Sequence, residues 1–155
     1  MKKTIIAAAI VCAAIATPAM ANDFTGLRVE VTAGTDLDHV RKGLNPNDIT
    51  YGGAVGIDAP LGDKLVVGVE ATVDNVFNYR DYGASARLGV KVGKSALVYG
   101  KVGYADFRGL EGVRVGGGVV VKLTGALYAK VEYRYSDLEK GAGRHQTVVG
   151  VGLRF

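Results

Sequence analysis

Cysteine, histidine, net charge and long apolar runs are all scarce in this chain. The one cysteine, Cys12, falls within a short N-terminal apolar stretch. Once that stretch is removed, the chain has no disulfide, no thiol nucleophile and no thiolate metal site. Histidine occurs twice, at 39 and 145, which leaves little room for imidazole chemistry. Beyond the N-terminal stretch, 17 of the 19 Lys and Arg face 15 Asp and Glu. So small a positive balance, dispersed rather than clustered, argues against nucleic acid as a partner. The run from Ile5 to Ile15 is well short of the roughly 18–20 residues that a membrane-spanning helix needs.

What the N-terminus does have is the order of a secretory signal peptide. Lys2 and Lys3 precede the apolar run, Pro18 breaks it, and Ala19-Met20-Ala21 offers a small-x-small cleavage site. Two domains are therefore expected: a signal peptide over 1–21 and one mature domain over 22–155. Lipidation at Cys12 is disfavoured, because Val11 is too bulky for that signal. No periplasmic extension is expected after Phe155.

The mature chain divides into eight extended segments of about ten residues: Phe24–Ala33, Ile49–Asp58, Lys64–Val73, Tyr82–Val92, Ala96–Ala105, Val113–Leu123, Leu127–Ser136 and His145–Phe155. Side chains on a strand alternate between two faces. One face is apolar throughout, as in Leu27, Val29 and Val31 or Val149, Val151, Leu153 and Phe155. The other carries Arg28, Glu30, Asp58, Glu70, Arg87, Lys91, Lys101, Arg114, Lys122, Lys130, Glu132, Arg134 and Arg154. Ten positions on that charged face are glycine: 52, 56, 68, 83, 89, 103, 116, 118, 150 and 152. Glycine weakens a strand, so it needs a reason there. A narrow eight-stranded barrel supplies one, because long charged side chains fit inside only beside small neighbours. The apolar face then meets lipid.

The connections alternate in length. Tight turns are expected at 59–63, 93–95 and 124–126, and longer polar loops at 34–48, 74–81, 106–112 and 137–144. Short periplasmic turns alternating with longer external loops is the transmembrane-barrel arrangement. With the long loops outside, Tyr51, Tyr82, Tyr104, Tyr133 and Tyr135 all face outward near the external end, as a half-girdle at the membrane interface. Tyr99 and Tyr128 face inward and lie low in the barrel.

The stretches LVYGKVGYA (97–105), VRVGGGVVVKLTGALYAKVEYRYSDL (113–138) and the terminal VVGVGLRF resemble the small outer-membrane barrels of the OmpA/OmpX and opacity-protein type, the porin family with an outer membrane protein beta-barrel domain. This resemblance covers essentially the whole mature chain and implies residence in the outer membrane of a Gram-negative envelope. It also implies that Val149, Val151, Leu153 and Phe155 form the signal read by the barrel-assembly machinery. The Sec translocon, periplasmic chaperones and that machinery would then be partners in biogenesis.

Four candidate chemistries remain. Arg28, Glu30, Glu70, Arg87, Lys101, Arg114, Lys130, Glu132 and Arg134 form an expected lumen network, since a charge in a low-dielectric interior must be paired or hydrated. On this reading inward bases exceed acids nine to four, counting Asp58, so a leak would weakly favour anions. A lipid-modifying site would need a histidine with a nucleophile or carboxylate. His145 with Thr147, Ser136 and Asp137 is the nearest approach, His39 offers no partner set, and neither completes a motif. Asp36, Asp38 and His39 are a weak candidate for a divalent cation. Surface recognition would use loop residues such as Arg41, Lys42, Phe77, Tyr79 and Arg80. Gly116-Gly117-Gly118 is no phosphate loop, because no third spaced glycine and no helix follow.

These observations predict an all-β protein: an eight-stranded, up-and-down antiparallel transmembrane barrel without cofactor, metal or enzymatic activity. Its expected work is structural, in envelope integrity, with contacts to lipopolysaccharide or to a host or surface ligand through external loops. The alternative is a narrow channel for small polar solutes.

Overall fold

The computed structural model describes residues 24–36, 49–76, 79–107, 110–138 and 142–155. These form eight strands: β1 Gly26–Asp36, β2 Ile49–Leu61, β3 Leu65–Val76, β4 Tyr79–Val92, β5 Ala96–Phe107, β6 Leu110–Thr124, β7 Leu127–Leu138 and β8 Ala142–Arg154. Each pairs antiparallel with the next, and β1 pairs with β8, so the sheet closes on itself. Closure leaves no strand edge for the lipid to solvate. The signal peptide lies outside the described residues.

Tight turns at 62–64, 93–95 and 125–126 join β2 to β3, β4 to β5 and β6 to β7. Gly62, Gly93 and Gly125 take positive φ there, a region that residues with a Cβ enter at a cost. The first of these turns sits later than the expected 59–63, because β2 runs on through Leu61. At the other end every hairpin is longer than the sequence suggests. Asp74 ends inside β3, Asp81 inside β4, Asp106 inside β5 and Arg144 inside β8, so the expected loops at 74–81, 106–112 and 137–144 are mostly strand. Asp74, Asp81 and Arg144 point into a polar lumen and so have the composition of loop residues, whereas Asp106 faces outward near the end of its strand.

The two faces separate as the alternation requires. Val31 is 69% exposed, Val102 56% and Val131 56%, whereas Arg28 and Glu132 are 0% exposed. Register explains the inward glycines. Arg28 lies opposite Gly56, Asp58 opposite Gly68, and Lys101 opposite Gly116. A Cβ on Gly56 would stand 2.5 Å from Arg28 Nη2, and one on Gly68 would fall on Asp58 Oδ1. Each large side chain thus lies down over a neighbouring strand that has nothing to offer but backbone.

One region of the interior is not polar. At the turn end Phe24, Val66, Leu97, Val120 and the rings of Tyr99 and Tyr128 pack as an apolar floor across the lumen. Phe24 precedes β1, holds a positive φ of 72°, and is buried beneath Arg154, whose guanidinium lies 5.5 Å from its ring centroid.

Candidate functional site: the lumen network

Above the floor, charged side chains from all eight strands converge on the barrel axis. Arg28 Nη1 binds Glu30 Oε1 at 2.6 Å and Glu70 Oε2 at 2.6 Å, and its Nε donates to Asp58 Oδ2 at 3.1 Å. Lys101 Nζ joins Glu70 Oε1 at 2.8 Å to Glu132 Oε1 at 2.6 Å. Lys130 pairs with Glu30 and stands 3.8 Å from Glu70 and 3.7 Å from Glu132. Arg134 closes the group by pairing with Glu132 and, at 2.7 Å, with Asp74. The Tyr99 hydroxyl donates to Glu132, and that of Tyr128 to Glu30 at 2.8 Å.

Two smaller groups flank this centre. Towards the turn end, Arg87 grips both oxygens of Asp58, at 2.9 and 2.5 Å, while its guanidinium lies 5.0 Å from the Tyr99 ring centroid. Towards the loop end, Arg114 Nη2 spans both oxygens of Asp81 at 2.8 and 2.6 Å, its Nε donates to Ser136 Oγ, and Arg144 adds a third bond to Asp81 at 2.8 Å.

All nine residues expected in the lumen lie there, buried. Sequence reasoning missed Asp74, Asp81 and Arg144, which it placed in loops. It also placed Lys91 and Lys122 inside, but they sit at the turn-end mouth, half-buried and exposed. The inward balance is corrected accordingly: among the described residues eight buried bases face six buried acids. This is far nearer neutrality than nine to four, and it weakens the case for an anion-favouring leak.

The other candidates separate. Ser136 faces the lumen, bound by Arg114, whereas His145 faces outward, with its Nδ1 2.5 Å from the Tyr133 hydroxyl and its ring 4.7 Å from that of Tyr135. The barrel wall thus divides His145 from Ser136, while Thr147 and Asp137 lie on the outer face with His145. Asp38, His39, Arg41, Lys42 and Phe77 lie outside the described residues, as does the side chain of Asp36. Tyr79 and Arg80 belong to β4 rather than to a loop. Tyr51, Tyr82, Tyr104 and Tyr135 all point outward within three residues of the loop end of their strands, and Tyr133 lies two residues deeper. Val149, Val151, Leu153 and Phe155 alternate on the outer face, each about half exposed.

Solved structures with this architecture include the N-terminal barrel domain of OprF from Pseudomonas aeruginosa, at 17% identity and a TM-score of 0.61 over 83% of this chain and 96% of that one. Ail, the attachment invasion locus protein of Yersinia pestis, aligns at 14% identity and a TM-score of 0.59 over 85% and 100%. The neisserial surface protein NspA follows at 13% identity and 0.52, over 83% and 96%. No curated protein matches the chain. At such identities these likenesses establish the fold alone. The sequence itself matches the outer membrane protein beta-barrel domain over residues 5–155, so the chain belongs to that family and is a protein of the outer membrane.

Proposed function

We propose that this protein is a non-conducting structural barrel that contributes to envelope integrity and presents external loops for contact with lipopolysaccharide or a host ligand. The observation that carries the reading is the filled lumen. An apolar floor from six side chains lies across the turn end, and the ion-paired centre occupies the axis above it. A water-filled path would have to pass both.

Planar-bilayer recording of the refolded mature protein tests this directly. The expected result is no steady conductance; a steady unit conductance would favour the narrow channel. Envelope integrity is tested by the detergent sensitivity of cells lacking the protein, with loop-swapped variants restoring resistance while altering surface binding. The outward tyrosines would serve as interfacial anchors. Val149, Val151, Leu153 and Phe155 would serve as the assembly signal, with Sec export, chaperones and the barrel-assembly machinery as partners. Replacing Phe155 should slow assembly in cells without changing the melting of protein refolded in vitro. The surface role draws on a structural neighbour: Ail has been crystallised with the heparin analogue sucrose octasulfate. The division of His145 from Ser136 favours a role without catalysis.

A further inference from the structure

One cation breaks the rule that charges point inward. Arg80 is exposed on the outward face of β4, and among the described residues no other Arg or Lys points outward from a strand. Its partner is the hydroxyl of Tyr82, two residues along the same face, an uncharged group that leaves the guanidinium its full charge. Asp106 stands beside Tyr82 on β5 but forms no ion pair with Arg80. Register completes a polar row at this level. Arg80 lies opposite Asn75, and Asn75 opposite Tyr51, whose hydroxyl accepts from Asn75 Nδ2 at 2.6 Å. Below this row the outer wall is hollowed. Ala71 faces Ala84 across the β3–β4 ladder, and Ala86 faces Val69. With Val55 and Ile57 standing on the β2 side and Tyr104 on the β5 side, these small side chains leave a groove of about 430 Å³. Glu70 turns its side chain into the lumen and offers the groove only backbone.

We infer that this face binds one lipid A molecule of the external leaflet, with a phosphate on Arg80 and an acyl chain laid in the groove. Arg80, Tyr82, Ala84 and Ala86 are successive outward positions on β4. Arg80 and Ala84 are about 13 Å apart along the strand, or about 10 Å in depth at the usual tilt. The groove therefore starts under the guanidinium, within the external half of an apolar band about 25 Å tall. A guanidinium matches a phosphate in charge and in its paired donors. Tyr51, Asn75 and Tyr82 add uncharged polar groups beside it, at the level of the sugar. A second copy of this chain would fill the groove but leave Arg80 without an anion. Anionic phospholipid offers the same phosphate, but the longer hairpins lie on the external side, which is the lipopolysaccharide leaflet. The inference deepens the lipopolysaccharide contact proposed above and rests on that orientation; it adds a site on the wall to the contact through loops.

The test uses mature protein refolded into phosphatidylcholine nanodiscs that contain a small fraction of either diphosphoryl lipid A or phosphatidylglycerol. Lipid retained on release from the disc is counted by native mass spectrometry. The wild-type protein should retain lipid A in preference to phosphatidylglycerol. R80Q should lower that retention about fivefold, and R80K should restore part of it. A84L fills the groove without altering charge and should lower retention as well. A129L, at an outward alanine on β7, should leave it unchanged. All variants are checked for folding by heat-shifted gel mobility, and R80Q, at an exposed side chain, gives a reading even where A84L folds poorly. Retention unchanged by either R80Q or A84L would overturn the inference, as would an equal loss in A129L. Equal retention of phosphatidylglycerol, with the same dependence on Arg80, would overturn it in favour of any phosphate lipid. Retention lost on loop swapping but kept in R80Q and A84L would remove the wall site and leave contact through the loops standing.

Discussion

The floor and the ionic centre fill the same lumen by opposite means. The floor is non-directional: Val66, Leu97 and Val120 need neighbours of the right volume and nothing more. The centre is directional, because Lys101 and Arg134 hold one oxygen of Glu132 and the Tyr99 hydroxyl holds the other. Each region also conditions the other. A floor that keeps water out lowers the local dielectric above it, which strengthens every pair formed and raises the cost of any pair broken. A barrel with a weaker floor would have a wetter, more forgiving centre.

The contrast is broken most severely at Glu132. Glu132→Ala leaves Lys101 and Arg134 each short of a carboxylate in a buried site, an error that costs about 3–5 kcal/mol. Urea unfolding followed by gel mobility should show that loss, and Glu132→Gln should recover only part of it. The corresponding change in the floor is Leu97→Ala, at a position with no exposure. It leaves a cavity but no orphaned charge, and about 3 kcal/mol is expected. The two variants should differ most in salt response. Added salt should change the midpoint of Glu132→Ala more than that of Leu97→Ala, and equal shifts would mean that water already reaches the centre.

How much of this is legible in the sequence differs between the two regions for a physical reason. The centre announces itself because Arg28, Glu30, Lys130, Glu132 and Arg134 break apolar runs at alternate positions. The floor does not. Val66 stands in Leu65-Val66-Val67, Leu97 in Ala96-Leu97-Val98 and Val120 in Val119-Val120-Val121, where inward and outward residues are both apolar and the alternation carries no information. At the other end, Asp74, Asp81 and Arg144 were hidden by resembling loop residues. Nor could spacing reveal that Arg28 meets Glu70, 42 residues away, because that pairing depends on how the closed sheet tilts its strands.

The wall between the regions offers a finer test. At Gly68 a Cβ would fall on Asp58 Oδ1 and stand 2.8 Å from the Ile57 carbonyl oxygen, which is backbone and cannot turn aside. Gly68→Ala should therefore cost about 2 kcal/mol by overpacking. Asp58 also holds Arg28 and Arg87, so part of this loss should disappear in an Asp58→Asn background, measured as a double-mutant cycle. Strict additivity would mean that the glycine serves the backbone alone.

Tyr99 belongs to both regions, with its ring in the floor and its hydroxyl on Glu132. Tyr99→Phe keeps the packing and removes one donor to a carboxylate that retains three cationic partners, Lys101, Arg134 and Lys130. The expected loss is about 1.5 kcal/mol, the value of a hydrogen bond to a charged group. Combined with Glu132→Ala, the same change should cost much less, since the acceptor is already gone. If Tyr99→Phe cost as much in the Glu132→Ala background as in the wild type, the hydroxyl would owe nothing to the network and the ring would be acting as floor alone.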